Sequence, residues 1–310
     1  MKGMLLAAGM GTRLGPLSQE RPKPLVPLLD VPVIRYGLAL LRSAGIREFS
    51  VNLHHLGDRI RAELGDEVAY SDEPEILGTG GGVKRMAALL GGERFVVINA
   101  KVALDLDLRA VIAEHERRGA EASMVVRPDG DARRWGAIDV AQDGRVRGML
   151  GEGANMFTGI HVLDRAFIER IPDGPCDIVR TAYATRVGAR GPVFAHVMTP
   201  TAFFCENSTP ARYLNANLAL LDGAWRPPWP ATGIDATALV DPGAVLEPPV
   251  RVGAGARIGA GARVSRSVVG RGASVESGAE VRDSVLWPGV AVAGAARRCI
   301  FTPRGRVDVP

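Results

Sequence analysis

Long apolar runs are absent from this chain of 310 residues. No stretch approaches the roughly 20 apolar residues that a membrane-spanning helix needs, which excludes such a helix. The apolar run near the start, Met4–Ala8, is too short for the core of a signal peptide, and Arg13 follows soon after it. We therefore expect a cytoplasmic protein that makes no membrane contact.

Cysteine is also rare, and charge of one sign is not concentrated anywhere. Cys176, Cys205 and Cys299 lie far apart and form no CxxC pair, which favours free thiols in a reducing compartment. The net charge of +4 comes without a lysine–arginine block or an aromatic-basic stripe. Nucleic-acid binding is therefore unsupported, whereas mild basicity suits a protein that handles anionic small molecules.

Up to about residue 222 the chain alternates between strand-like apolar runs and helical spacing. The pattern predicts strands at 4–8, 48–53, 68–70, 95–98 and 122–127, and helices at 32–44, 57–64, 83–90 and 108–118. Such alternation favours an α/β fold, a Rossmann-like domain over residues 1–222 with a mainly parallel mixed sheet covered by helices.

The composition and the periodicity of the sequence change after this region. Residues 223–233 are rich in proline and cannot be helical, so they are predicted to be a linker. Aliphatic residues then recur every six positions, as at Val252, Ile258 and Val264, with small residues between them. This period predicts a left-handed parallel β-helix over 234–302, with loops or corner adjustments where the register slips near 265–269 and 282–286.

The first predicted strand runs into a glycine turn followed by two cations. Gly9 and Gly11 permit a turn whose N–H groups can bind an anion, although the spacing matches neither of the common phosphate-loop patterns. Arg13 follows, and then Lys23 between two prolines. Lysine occurs only four times in the chain, so this one indicates a need for a compact point charge. A solvated loop lysine is an equally weighted alternative.

These residues resemble a family signature. GMGTR at 9–13 followed by RPKPL at 21–25 resembles the sugar-1-phosphate nucleotidyltransferases. Three further stretches resemble the mannose-1-phosphate guanylyltransferase-like branch, namely VNLHHLGDRI at 51–60, EILGTGGGVKRM at 75–86 and MFTGIHVL at 156–163. ENSTPARYLNANLALL at 206–221 resembles the motif that closes the catalytic domain, and a β-helix after that domain is common in the family.

The resemblance implies an enzyme that joins a nucleoside triphosphate, with GTP favoured, to a sugar 1-phosphate and releases pyrophosphate. Catalysis would consist of positioning and of stabilising phosphate charge, with Arg13 on the pyrophosphate side and Lys23 on the α-phosphate and the sugar phosphate. The implied nucleotide-binding residues are Leu6, Ala8, Gly9, Gly11, Thr12, Glu73, Gly78 and Thr79. The implied sugar-binding residues are Gly136, Glu152, Thr158 and Gly159.

One family position carries the opposite charge in this chain. The family strand ends Asn-Gly-Asp and its aspartate ligates Mg²⁺, whereas this strand ends at Lys101 after Asn-Ala. The second family ligand corresponds to Glu206. An ammonium cannot ligate Mg²⁺. Lys101 could therefore supply the catalytic charge itself, a displaced metal could bind Glu206, Asp105 or Asp107, or the chain could bind sugar nucleotides without making them efficiently. A salt bridge from Lys101 to Asp105 or Glu206 is the purely structural alternative.

We therefore predict a mannose-1-phosphate guanylyltransferase-like enzyme. The alternative is a catalytically weak paralogue that senses sugar nucleotides or serves as a regulatory subunit. Self-association through the β-helix is expected only by analogy. An acyltransferase activity in the β-helix is disfavoured because residues 234–310 contain no histidine.

Overall fold

The computed structural model describes the backbone of residues 1–310 and every side chain except that of Glu20. The chain forms two compact units, one made of residues 1–10 and 37–202 and the other of residues 11–36 and 203–310. The predicted domain limits, 1–222, 223–233 and 234–302, follow the order of the elements and stay a prediction.

Strands and helices alternate through the first 222 residues. The strands are β1 (Lys2–Leu6), β2 (Pro27–Leu28), β3 (Val31–Pro32), β4 (Phe49–Leu53), β5 (Ala69–Asp72), β6 (Arg94–Asn99), β7 (Val102–Leu104), β8 (Ala122–Pro128), β9 (Ala137–Val140), β10 (Val146–Gly151), β11 (Asn155–Asp164), β12 (Val193–Val197) and β13 (Phe204–Glu206). The helices are α1 (Pro16–Glu20), α2 (Val33–Ser43), α3 (Gly57–Leu64), α4 (Gly78–Leu90), α5 (Leu108–Arg117), α6 (Ala132–Trp135), α7 (Arg165–Glu169), α8 (Ala184–Gly188) and α9 (Pro210–Leu221). The α/β class predicted from the apolar pattern is confirmed.

A mixed sheet forms the centre of the first unit. Its strands lie in the order β10-β9-β11-β6-β1-β4-β5, with β8 beside β11 and β12 beside β8. Strands β6, β1, β4 and β5 are parallel, whereas β11 is antiparallel to β6 and β8. From β1 the chain goes first to β4 on one side and later to β6 on the other. Ligands of open α/β sheets bind at the carboxyl end of such a reversal.

The central strands are buried on both faces. Phe95–Ile98 in β6 and Met4 and Leu5 in β1 have no exposed surface. Continuous apolar runs of this kind are typical of parallel strands that helices cover on both sides. Each such side chain contributes about 1.5–3 kcal/mol through burial, so these strands hold their carboxyl ends in fixed positions.

Helix α4 begins five residues before the predicted segment 83–90 and includes three consecutive glycines. Glycine disfavours a helix by up to about 1 kcal/mol relative to alanine. Packing explains the difference, because a Cβ on Gly80 would lie 2.5 Å from Cys176 Sγ and one on Gly82 would lie 2.8 Å from Asn52 Nδ2. Close contact with neighbouring elements therefore outweighs helix propensity here.

The C-terminal part of the second unit is a β-helix of three parallel sheets. Its strands are β14 (Gly233–Ile234), β15 (Leu239–Val240), β16 (Val245–Glu247), β17 (Arg251–Val252), β18 (Arg257–Ile258), β19 (Arg263–Ser265), β20 (Val268–Val269), β21 (Ser274–Val275), β22 (Glu280–Arg282), β23 (Val285–Leu286), β24 (Ala291–Val292), β25 (Ala295–Arg297) and β26 (Cys299–Thr302), closed by antiparallel β27 (Gly305–Asp308). Ile234, Val252, Val269 and Leu286 pair in successive coils of 18, 17 and 17 residues. Both predicted slips are corners, at which Arg266 and Asp283 have positive φ.

The predicted linker forms no helix and carries two packed tryptophans. Trp229 meets Tyr36 edge-on at 4.8 Å between ring centroids, and Trp225 stacks on Phe203 at 5.5 Å. The linker is therefore part of the packed second unit. Among the residues described, no helix is both long and apolar enough to cross a membrane.

Candidate functional site

The chain leaves β1 and β6 at the same edge of the first unit's sheet. Ala100 N donates a hydrogen bond of 3.0 Å to Leu6 O, just where the two strands end. On the other side of β1, Ala7 N donates to Asn52 Oδ1 at 2.6 Å, near the end of β4. The loop after β1 therefore starts from a point that hydrogen bonds fix on both sides.

Gly9 is exposed on this loop, directly after the buried Ala8. A Cβ added at Gly9 would meet no described atom within 4 Å, and its φ lies outside the left-handed region that favours glycine. Neither packing within the chain nor backbone conformation requires glycine at this position. The space beside Gly9 is open to a ligand that approaches the backbone closely.

Segment 11–36 of the second unit carries the predicted cations. Thr12 and Arg13 lie exposed in a 3₁₀ turn, whereas Lys23 begins another such turn with only 8% of its surface exposed. The stem of Lys23 packs against Gly11, where an added Cβ would lie 3.2 Å from Lys23 Cγ. Lys23 is thus a packed lysine, and the solvated loop alternative does not describe it.

Glu73 is almost fully buried after β5, and the protein uses both of its carboxylate oxygens. Oε1 accepts a 2.7 Å hydrogen bond from Asn52 Nδ2, and Oε2 accepts one of 3.0 Å from Leu77 N. The carboxylate thereby fixes the loop that enters α4. Both carboxylate oxygens therefore already have partners within the protein, and the predicted role of Glu73 near the nucleobase stays a prediction.

Asn52 is a residue that sequence reasoning missed. It joins the loop after β1 to Glu73, because its Oδ1 accepts from Ala7 N while its Nδ2 donates to the carboxylate. All five residues of its strand, Phe49–Leu53, are buried. A polar side chain inside a strand buried on both faces was the signal that could have identified it, since such a group needs partners.

Gly78 and Thr79, predicted to lie near the nucleobase, contact the loop at 174–178. A Cβ on Gly78 would lie 2.5 Å from Cys176 O, and its φ is +68°. Ile178 N donates to Thr79 Oγ1 at 2.9 Å, and Gly80 N donates to Cys176 O at 2.9 Å. Gly78 is therefore required because the backbone of Cys176 approaches it closely. Its role toward a nucleobase stays a prediction.

The predicted sugar-binding residues fall into two groups. Thr158 and Gly159 lie where β11 bulges, and Thr158 Oγ1 donates to Val125 O at 2.7 Å. A Cβ on Gly159 would overlap the Asn99 side chain, which brings this bulge to the end of β6. Gly136 precedes β9 and is half-buried, whereas Glu152 follows β10 and is exposed. All four roles stay predictions.

Lys101 lies in the turn directly after β6 and is half-buried. Its backbone N donates to Asn99 O at 2.8 Å, which makes the turn tight. Asp107, one of the carboxylates considered for a displaced metal, instead caps helix α5, where its Oδ1 accepts from Arg109 N and Ala110 N. The structure therefore gives Asp107 a role in the helix.

The donor set at the end of β6 does not fit Mg²⁺. The ion needs oxygen ligands, and the chain offers an ammonium there. Among the described residues, no group of three or more His, Cys, Asp and Glu side chains could share a metal ion. Next to the predicted ligand Glu206, the buried atom without a partner is Asn207 Nδ2, a hydrogen-bond donor. A metal role for Glu206 stays a prediction.

Two family models match this chain, one in its N-terminal half and one near its C-terminal end. The family model described as nucleotidyl transferase matches residues 2–150, and the one described as a GlmU-like C-terminal hexapeptide matches residues 249–307. A Synechocystis sp. UTP–glucose-1-phosphate uridylyltransferase is 30% identical over 56% of this chain and 52% of its own length. A Mycobacterium tuberculosis mannose-1-phosphate guanylyltransferase is 28% identical over 71% of this chain and 64% of its own length. The chain thus spans about half to two thirds of these relatives.

Solved structures show the same fold. A Bacillus anthracis protein described as a glucose-1-phosphate thymidylyltransferase matches with a TM-score of 0.63 over 70% of this chain and 94% of that one. The two sequences are 21% identical, so this likeness concerns the fold alone.

Proposed function

We propose that this chain is a sugar-1-phosphate nucleotidyltransferase, which joins a nucleoside triphosphate to a sugar 1-phosphate and releases pyrophosphate. The observation that carries the proposal is the open space at Gly9. This glycine lies on the exposed loop at the sheet reversal, no packing in the described chain explains it, and Arg13 follows four residues later.

In the proposed reaction a phosphate oxygen of the sugar 1-phosphate attacks the α-phosphorus of the triphosphate. A new O–P bond forms, the bond from the α-phosphorus to the bridging oxygen breaks, and pyrophosphate leaves with that electron pair. The protein has only to align the two phosphates and stabilise the negative charge. Arg13 would bind the leaving pyrophosphate, the amides around Gly9 the triphosphate, and Lys23 the α-phosphate.

GTP and mannose 1-phosphate are the proposed substrates. The support comes from relatives named mannose-1-phosphate guanylyltransferase, such as the Mycobacterium tuberculosis protein and a Drosophila pseudoobscura pseudoobscura catalytic subunit beta that is 25% identical. Relatives named as uridylyltransferases make UTP the competing nucleotide. A panel of nucleotides and sugar phosphates therefore has to decide the pair.

The test measures pyrophosphate release for each pair of GTP, UTP, dTTP, ATP or CTP with mannose, glucose or N-acetylmuramate 1-phosphate. Gly9→Ala should lower kcat/KM about ten- to a hundred-fold, because a methyl group displaces the phosphates. Gly188→Ala is the control, since a Cβ there also meets no described atom within 4 Å. Absence of turnover in the wild type with every pair, together with tight nucleotide binding, would favour the sensor alternative and overturn the proposal.

A further inference from the structure

Segment 11–36, which carries Arg13 and Lys23, packs in one compact unit with residues 203–310. Strands β2 and β3 of this segment form a hairpin whose turn residues are Leu29 and Asp30. Their φ angles are 51° and 73°, in the left-handed region that costs an ordinary residue about 1–2 kcal/mol. Such turns usually contain Asn-Gly, so other contacts must hold this one.

Asp30 contacts the β-helix at the tip of the turn. Its Oδ1 accepts a 2.8 Å hydrogen bond from Arg271 N, which lies in a corner of the β-helix. Its Oδ2 lies 2.5 Å from the position that a Cβ on Gly253 would occupy, so the approach requires glycine there. Asp30 is half-buried, and desolvation by burial raises the pKa of its carboxyl group.

Helix α9 also holds this turn through a hydrogen bond. Leu29 N donates to Asn217 Oδ1 at 2.9 Å, and Asn217 has no exposed surface. One turn earlier on α9, Tyr213 OH accepts a 3.0 Å hydrogen bond from Nε1 of the fully buried Trp287 in the β-helix. The β-helix therefore contacts the turn directly and also through α9.

Lys23 lies between two of these contacts along the chain. Two residues before it, the Arg21 guanidinium lies 5.4 Å from the ring centroid of Trp287. Seven residues after it, Asp30 binds the β-helix corner. Lys23 itself is buried and packs on Gly11, so a shift of the hairpin would be passed to its side chain.

We propose that the β-helix, through Asp30, positions segment 11–36 so that Lys23 is presented to the phosphates. Asp30 is then a positioning residue for the transfer reaction, and this inference rests on the proposed function. The β-helix thereby contributes to catalysis through the hydrogen bond from Arg271 N to Asp30. That hydrogen bond holds a turn whose positive φ angles are unfavourable for residues other than glycine.

The test compares Asp30→Gly with Asp30→Asn. Asp30→Gly relieves the positive φ but removes the hydrogen bond from Arg271 N. Because that N–H is exposed, water can replace the carboxylate as its acceptor. The melting temperature should therefore stay near that of the wild type. kcat should fall about ten- to a hundred-fold and the exchange of amides in 11–36 should speed up about ten-fold. Asparagine keeps an acceptor and tolerates this conformation, so Asp30→Asn should behave as the wild type.

The control is Asp241→Gly, because the Asp241 carboxylate accepts a hydrogen bond from Gly243 N within its own β-helix turn. It should leave kcat and the exchange of 11–36 unchanged. The proposal is overturned by a wild-type kcat in Asp30→Gly, or by an equal loss in Asp30→Asn. If the wild type releases no pyrophosphate at all, the proposed function fails, whereas amide exchange still decides whether Asp30 anchors the segment.

Discussion

Replacing Glu73 by alanine should destabilise the first unit strongly, because the carboxylate is 3% exposed and serves two donors. The change leaves Asn52 Nδ2 and Leu77 N without the partners that they have at 2.7 and 3.0 Å. A buried donor left unpaired costs about 1–3 kcal/mol, and Leu77 N is only partly buried, so the loss of both hydrogen bonds should cost about 2–4 kcal/mol. Glu73→Gln keeps one oxygen that can accept from Asn52 Nδ2 but places an amide NH₂ beside Leu77 N, which then has no acceptor. This variant should lose about half as much free energy of unfolding as Glu73→Ala.

The free energy of unfolding from urea titration measures this effect, with the slope checked for two-state behaviour. Glu75→Ala is the matched control, since Glu75 is exposed two residues further along the same loop and should change stability little. A Glu73→Ala variant as stable as the control, but with weaker nucleotide binding, would refute the structural role and restore the predicted nucleobase contact.

Three further changes test other parts of the structure. Trp287→Phe removes the donor to Tyr213 OH and should lower the free energy of unfolding by about 1–3 kcal/mol, measured by urea titration. Asn217→Ala should cost a similar amount, whereas Asn215→Ala, at an exposed position on the same helix, should not change the thermal midpoint. Burial lowers the pKa of His161 to about 3, so the unfolded chain takes up the extra proton as pH falls below about 6.5. Stability should then drop by about 2 kcal/mol between pH 7 and 5, and His161→Gln should flatten that slope.

The sequence predicted those elements whose signal is local. The apolar run of β6 and the six-residue period of the β-helix each reflect a repeated burial pattern, and both are confirmed. The early start of α4 could not be predicted, because its glycines are required by close contacts with Cys176 and Asn52, which lie on other elements. Contacts between distant positions leave no periodic trace in a single sequence.

The candidate site shows the same division. Arg13, Lys23 and Lys101 were found because charged residues follow strand-like or proline-stiffened stretches. The hydrogen bond from Arg271 N to Asp30 joins positions 241 residues apart, and nothing near Asp30 in the sequence indicates it. That Lys101 stands where the family has a carboxylate is visible only against the family pattern, which is a comparison that composition and spacing do not supply.

Substitutions at Lys101 distinguish the remaining explanations of the reaction, because each explanation predicts a different direction of change in the rate. If its ammonium supplies the charge that the family takes from a metal, Lys101→Ala should lower kcat about a hundred-fold, as the loss of one charged donor does at comparable sites. Turnover of the wild type should then depend little on added Mg²⁺. Lys2→Ala is the control, because Lys2 lies at the other end of β1, paired with Glu48.

The opposite pattern would show that the lysine impairs catalysis. Lys101→Asp places a carboxylate at the end of β6, where Mg²⁺ can use it together with the substrate phosphates. A rise in pyrophosphate release that requires Mg²⁺ in this variant would mean that the wild-type residue restrains the reaction, and would contradict the substituted-charge explanation. Loss of activity in both Lys101→Ala and Lys101→Asp, with Mg²⁺ present, would instead support the substituted-charge explanation. The reaction would then require the positive charge of the lysine itself.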